Sequence, residues 1–336
     1  MFKTPPFFWY QKNSSRSLKY LYLILWIGRL LYLFFSVQKK KRISPVTLNI
    51  PVICVGNVSL GGTGKTPTCL ALYDVILEIY KEASCHFLTR GYKGSIKGPL
   101  RVKEDHNSDA VGDEALLLFQ KAPTWVSRSR KAGGKKAGEA GATHLIMDDG
   151  FQNPDLFKDV SLIVVDGFFG FGNQCVFPMG PLREDLKEAL GRAQGLVLIG
   201  EDTYGVQVLI SRLAPTLPII KAHFEPSLKA QQEFYKTKVI GFAGIGFPDK
   251  FYKTLQALNA EVLDFIPFPD HYKYPARVLK DLQSKAQKAG ALLVTTEKDY
   301  VRLPNFFQKN VSVVPITLIF EDKIKLIKIL KDHFHG

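Results

Sequence analysis

From residue 51 onward, short apolar runs alternate with longer stretches of helical periodicity. The runs at 51–56, 86–89, 144–148, 160–165 and 195–199 are continuous enough to be strands buried on both faces. Between them the pattern predicts helices over 66–81, 113–121, 129–140 and 183–193. That rhythm predicts an α/β fold with a mostly parallel sheet and helices on both sides. Near 205–235 the rhythm breaks, and Val206–Ile210 and Ile219–Phe224 read as strands of a β linker. A second, smaller α/β unit is then expected over 236–336. It opens on a strand at Val239 and continues through helix 249–259, strand 261–266, helix 275–288 and strand 291–295 to a closing helix at 322–333. No internal repeat or low-complexity tract interrupts it.

The first 46 residues differ from the rest. Residues 20–37 are apolar apart from Arg29, and Lys39–Arg42 follow at once. Three arrangements fit: a membrane-spanning helix, a helix lying in the interface, or a helix buried in a core. Arg29 near the centre disfavours spanning. The aromatic residues Trp9, Tyr10, Tyr20, Tyr22, Trp26 and Tyr32 favour an interface. A secretory signal is disfavoured, because no small-residue cleavage site follows the apolar run.

Charge sharpens this contrast. The 336-residue chain carries +14, and residues 1–46 supply nine Lys or Arg and no acid. The first acidic residue is Asp74. Such a segment suits an anionic surface or acidic substrate; its apolarity, with few polar side chains to read bases, argues against nucleic acid. The four cysteines (Cys54, Cys69, Cys85, Cys175) are scattered without a C-x-x-C pair, so neither a disulfide framework nor a zinc site is indicated.

Candidate chemistry begins where the first strand ends. Residues 56–67 read Gly-Asn-Val-Ser-Leu-Gly-Gly-Thr-Gly-Lys-Thr-Pro, between a strand and a helix. This is P-loop context, in which Ser59, Leu60, Gly61, Gly62, Thr63, Gly64, Lys65 and Thr66 would wrap a nucleotide's phosphates. Lys65 would reach the β/γ-phosphates and Thr66 would ligate Mg²⁺. Ser59 stands where the strict pattern requires glycine. A carboxylate closing an apolar strand is the usual second element. Asp148-Asp149 fits, and Asp166-Gly167 has the same shape.

Further along, Gly112-Asp113-Glu114 precedes an apolar helix. Its acids either complement the helix dipole or supply a general base. His271, in Pro269-Asp270-His271, lies on a loop between elements, and Arg90 follows the second strand. Pro178–Glu184 reads as a stiff turn into a helix. Thr296-Glu297-Lys298-Asp299 reads as an element boundary with no assignable chemistry.

Together, Gly56-Asn57…Gly61–Pro67, Thr89-Arg-Gly-Tyr92, Gly112–Glu114, Asp148-Asp-Gly-Phe-Gln152, Gly172-Asn173, Pro178–Glu184 and Phe268–His271 resemble the tetraacyldisaccharide 4′-kinases, the lipid A 4′-kinases of Gram-negative bacteria. Serine or threonine at the Ser59 position is usual there. The resemblance implies a P-loop domain and a smaller α/β domain joined by a β linker, with an N-terminal membrane-associated helix. It implies transfer of the γ-phosphate of ATP to the 4′-hydroxyl of a tetraacyl glucosamine disaccharide 1-phosphate, at the cytoplasmic face of the inner membrane. No obligate protein partner is implied.

By the same resemblance, Asp113 paired with His271 activates the hydroxyl, and Lys65 holds phosphate. Thr66, Asp149 and Glu184 hold Mg²⁺. Asn57, Arg90, Tyr92, Arg130, Asp148 and Gln152 contact substrate. Asn153 and Tyr272 depart from the family's usual histidines. The competing reading, a membrane-associated ATPase of the partitioning type, expects a lysine before the glycine pair, where this chain has Leu60.

Overall fold

The structure, a computed structural model, describes residues 44–334 together with Trp9, Leu25, Trp26, Gly28, Arg29 and Tyr32. The apolar runs become strands β1 (Val52–Gly56), β2 (Cys85–Thr89), β5 (His144–Asp148), β6 (Val160–Asp166), β7 (Gly195–Ile199) and β8 (Ile219–Pro226), while β3 (Leu100–Arg101) and β4 (Thr124–Val126) are short strands that the pattern did not mark. Strands β9 (Lys238–Ala243), β10 (Glu261–Pro267), β11 (Leu292–Thr296), β12 (Ser312–Val314) and β13 (Ile316–Phe320) follow.

A nine-stranded sheet runs in the order β13-β8-β7-β6-β1-β5-β2-β4-β3. Pairings from β8 across to β4 are parallel, and the edge strands β13 and β3 are antiparallel. A four-stranded parallel sheet runs β10-β9-β11-β12.

Every residue of β1, β5 and β6 is buried, as two covered faces require. On one face Cys69, Leu72 and Ile76 of helix Lys65–Ile79 share a cluster with Leu326, Ile329 and Leu330. On the other, Leu156, Phe171, Leu186, Val206 and Ile210 form a second cluster. Each fully buried side chain of this kind stabilises by roughly 1.5–3 kcal/mol.

Three expectations change. Val206–Ile210 is not a linker strand but part of helix Val206–Leu213. Asp202 caps it by accepting from the backbone N–H of Val206 (2.7 Å) and Gln207 (2.9 Å), and Val206 and Ile210, four apart, turn into the core. The predicted strand at 219–224 does exist, as β8, but inside the large sheet.

The chain also leaves the second unit before its end. β13 pairs with β8, and helix Lys323–Phe334 packs on the first sheet, because Leu318, Phe320, Leu326 and Leu330 complete that core. Finally, the helix expected over 183–193 shrinks to Leu186–Leu190. Arg183 N–H instead bonds Val58 O at 2.7 Å, holding that stretch extended beside the P-loop.

Of the expected N-terminal helix, Leu25, Trp26, Gly28, Arg29 and Tyr32 are helical, and the remainder lies outside the described residues. Tyr32 hydroxyl donates to Arg183 O at 3.0 Å. Among the described residues, no helix is long and apolar enough to cross a membrane.

Candidate active site

Strands β1, β2 and β5 end at one edge of the large sheet, the edge where open parallel sheets bind ligands. β1 delivers the P-loop. Only Gly61 (φ 116°) and Gly64 (φ 90°) in it need the left-handed region. Ser59 is extended and bridges Leu182, so a side chain is tolerated where the strict pattern has glycine. Inside the loop, Asn57 Nδ2 donates to Thr63 Oγ1 at 3.1 Å.

β5 delivers the two aspartates, and the backbone separates them. Asp148 is the last strand residue, buried, and its Oδ2 accepts from Thr66 Oγ1 at 2.9 Å. Asp149 turns into the left-handed region at φ 52°, which swings its carboxylate toward solvent. There it meets Arg183 at 3.1 Å and Lys65 at 3.8 Å. Their proton affinities diverge accordingly. Burial pushes Asp148 up, against the pull of Lys65. For Asp149 burial is outweighed by Lys65, Arg183 and Arg130, which hold it below the ordinary range. Asp148 Oδ1 and Asn57 Oδ1 are buried without a hydrogen-bond partner. A buried carboxylate oxygen left open beside a threonine hydroxyl suits a hard divalent cation.

A second cluster joins the two sheets. Asp113 begins helix Asp113–Phe119 and is 3% exposed. The carboxyl ends of β9, β10 and β11 lead into the residues that face it. Its Oδ2 is 2.9 Å from His271 Nδ1, accepts from Arg302 Nε at 2.8 Å, and is also gripped by Arg302 Nη2. Lys298 Nζ lies 4.0 Å from the same oxygen and 3.2 Å from Glu114. Tyr92 sets its ring edgewise on His271 at 5.7 Å. Burial alone would raise Asp113, but the His271 hydrogen bond, Lys298 and Arg302 hold it well below the carboxylate range. Burial raises Glu114, with Asp113 adding to it and Lys298 opposing.

A sequence model of the LpxK family, described as Tetraacyldisaccharide-1-P 4'-kinase, matches residues 21–335. The chain belongs to this family. It is 44% identical over 300 residues to the Tetraacyldisaccharide 4'-kinase of Rhodospirillum rubrum, covering 88% of this chain and 89% of that one. With the Rhodospirillum centenum enzyme of the same name it shares 41% over 335 residues, covering 99% and 97%. The crystal structure of "apo" form LpxK from Aquifex aeolicus in complex with ATP superimposes with a TM-score of 0.71 at 28% identity, covering 94% of this chain and 99% of that one.

Against the family reading of the sequence, the structure brings Asp113 and His271 together, and Lys65, Thr66, Asp148 and Asp149 together. The carboxylate on Thr66 is Asp148, whereas Asp149 was expected as the metal ligand. Glu184 was expected as a further metal ligand. Its oxygens accept from Gln152 Nε2 (3.1 Å) and Arg192 Nη2 (2.8 Å), and Gln152 also donates to Asn57 O (2.8 Å). Gln152 and Asn57 thereby shape the P-loop from behind.

Arg130 is buried, with Nη1 on Ser127 O and Nη2 on the carbonyls of Asp148 and Asp149 at 3.4 and 3.3 Å, so it buttresses the aspartate turn. Arg90 is exposed just beyond β2. The competing Asp166 is taken by Lys250 and by its own turn, where Phe168 N–H donates to it. Asn153 makes a turn with Asp155, and Tyr272 stacks on Phe268. Sequence reasoning passed over Arg183, Lys298 and Arg302.

Proposed function

We propose that this chain transfers the γ-phosphate of ATP to the 4′-hydroxyl of a tetraacyl glucosamine disaccharide 1-phosphate, a step of lipid A biosynthesis. Family membership supports the reading, as does the ATP in the Aquifex aeolicus relative. The observation in this chain that carries it is the 2.9 Å contact of Asp113 with His271, which adds an acceptor-activating pair to a P-loop.

Phosphoryl transfer is mostly positioning and electrostatics. Lys65 and the loop N–H groups bind the phosphates. Thr66 and Asp148 would hold Mg²⁺, which when bound offsets phosphate charge. Arg183 and Lys65 fix Asp149, and Arg130 holds the turn that separates the two aspartates. The Asp113–His271 pair orients the sugar hydroxyl and takes its proton, and His271 Nε2 is the ring nitrogen turned away from Asp113. Tyr92, packed on His271, and the exposed Arg90 stand ready for the head group. Residues 1–42 dock the enzyme on the cytoplasmic face of the bacterial inner membrane, where basic side chains attract anionic lipid.

Incubation of the purified protein with ATP and the 1-phosphorylated tetraacyl disaccharide tests this. New phosphate at the 4′ position, with ATP consumed only when acceptor is present, is the expected result. ATP hydrolysis indifferent to acceptor, with no 4′-phosphate, sinks the reading and favours the partitioning-type ATPase.

A further inference from the structure

Asp113 opens a helix beside the large sheet, and His271 lies in the loop that follows β10 of the small one, so their contact bridges two units. Arg302 spans the gap. It is 6% exposed in its side chain, and its guanidinium makes contacts in three directions. Nε and Nη2 grip Asp113 Oδ2, the oxygen that meets His271 Nδ1. Nη1 donates to Gly244 O at 2.8 Å, and that same carbonyl accepts His271 N–H at 2.9 Å. Nη1 also meets Asp299 Oδ1 at 3.0 Å, which in turn accepts from Tyr274 hydroxyl (2.8 Å) and Gly244 N–H (3.0 Å).

One side chain therefore touches both the carboxylate partner of the His271 ring and the carbonyl partner of the His271 backbone. That backbone needs holding, since His271 lies in the left-handed region at φ 60°. A Cβ at residue 244 would lie 2.9 Å from Tyr274 Oη and 3.0 Å from Asp299 Oδ1, so a larger residue there would push these two partners aside.

We propose that Arg302, with Lys298 behind it, is a positioning residue for phosphoryl transfer: it locks Asp113 against His271 in the geometry that takes the acceptor's proton. This rests on the kinase reading above. The charges facing the pair are Asp270, whose Oδ2 is 3.7 Å from His271 Nε2, Glu114 beside Asp113, Asp299 beneath Arg302, and the cations Lys298 and Arg302. Tyr92 and Tyr274 complete the surroundings. Without Arg302 the carboxyl groups of Asp113, Glu114 and Asp270 face the imidazole with Lys298 as the remaining cation of this group, and such a field favours the charged ring.

The test follows His271 by NMR titration of its ring and, separately, the pH dependence of kcat, in the full-length protein. Arg302→Gln should move the His271 ring titration upward, because a cation facing it is lost. It should move the acid limb of kcat by a similar amount and leave KM for ATP unchanged. Lys298→Gln, at a more exposed cation, should move both in the same direction by less, and serves if Arg302→Gln does not fold. Arg302→Lys, which keeps the charge but loses the fork, should leave the limb near wild type while lowering kcat roughly tenfold. An unmoved His271 titration in the folded variants overturns the proposal whether or not the protein is a kinase. Absence of 4′-phosphate from the wild type overturns the kinase reading instead.

Discussion

Thr66, in the helix after β1, reaches Asp148 at the end of β5 across 82 residues within the large-sheet unit, and around them Asp148 Oδ1 and Asn57 Oδ1 stay buried and unpartnered. Asp113 Oδ2 reaches His271 and Arg302 across 158 and 189 residues, between two sheets, and takes donors from both at once. The difference separates two kinds of work. A region that must receive phosphate and a cation keeps polar atoms in reserve. A region that must hold a proton acceptor at fixed geometry commits the acceptor's own atoms beforehand, and there only the neighbouring Glu114 Oε2 stays buried and unpartnered among the described residues. The aspartates follow the same logic: burial lifts Asp148, while the His271 hydrogen bond and the cations Lys298 and Arg302 depress Asp113.

Substitutions can break this contrast. The largest effect belongs to Lys65→Ala, which should lower kcat by about a thousandfold, as loss of a transition-state donor does. Its only described ion pair is with the part-exposed Asp149, so the melting temperature should hardly change. Near-normal turnover in the folded variant would dismiss the P-loop assignment.

Asp113→Asn should lower kcat about a hundredfold with little change in ATP binding. It should also cost about 3 kcal/mol of stability at neutral pH, because buried Arg302 then faces an amide. The sign with pH follows from the depressed carboxyl. Its contribution is complete above the ordinary Asp pKa of about 3.9 and fades as pH falls further. Denaturant melts at falling pH should therefore show the gap between wild type and variant closing only in acid; a gap constant down to about pH 2 would contradict the ion-pair account.

The two aspartates sharpen the comparison on the other side. Asp148→Asn should raise the Mg²⁺ concentration for half-maximal rate by about tenfold or more, and Asp149→Asn by less. The reverse ranking would return the cation to Asp149. The smallest effect is expected far from both clusters. Changing Lys39, Lys40, Lys41 and Arg42 to Gln should raise KM for the lipid several-fold and leave KM for ATP alone, since each basic residue adds roughly 1 kcal/mol at an anionic surface. Unchanged vesicle sedimentation and lipid KM would release the segment from that role.

How legible this was follows the same division. The P-loop, the aspartate pair and the main parallel strands are local patterns, and they can be read from contiguous residues. Which aspartate meets Thr66 depends on one backbone angle, φ 52° at Asp149, that no pattern encodes. Val206–Ile210 is a short apolar run that fits a strand, but Val206, Leu209, Ile210 and Leu213 fall at helical spacing on the core, and Asp202 caps that helix. β13 joins β8 over a long insertion, so periodicity gave no hint of its partner. Lys298 lies within a four-residue helix that reads as a boundary, and Arg302 lies just past its end. Their meaning lies in partners on the other sheet, and only the fold brings these together. A basic residue four positions after another, just past a buried strand's end, was the faint signal available.

The account turns on Asp113 and His271 working as one unit apart from the P-loop. A double-mutant cycle measures that directly: kcat for wild type, Asp113→Asn, His271→Ala and the double variant at saturating ATP. Coupling predicts that the double variant loses little more than the worse single one. Losses that multiply in full would show two independent residues and contradict the pair.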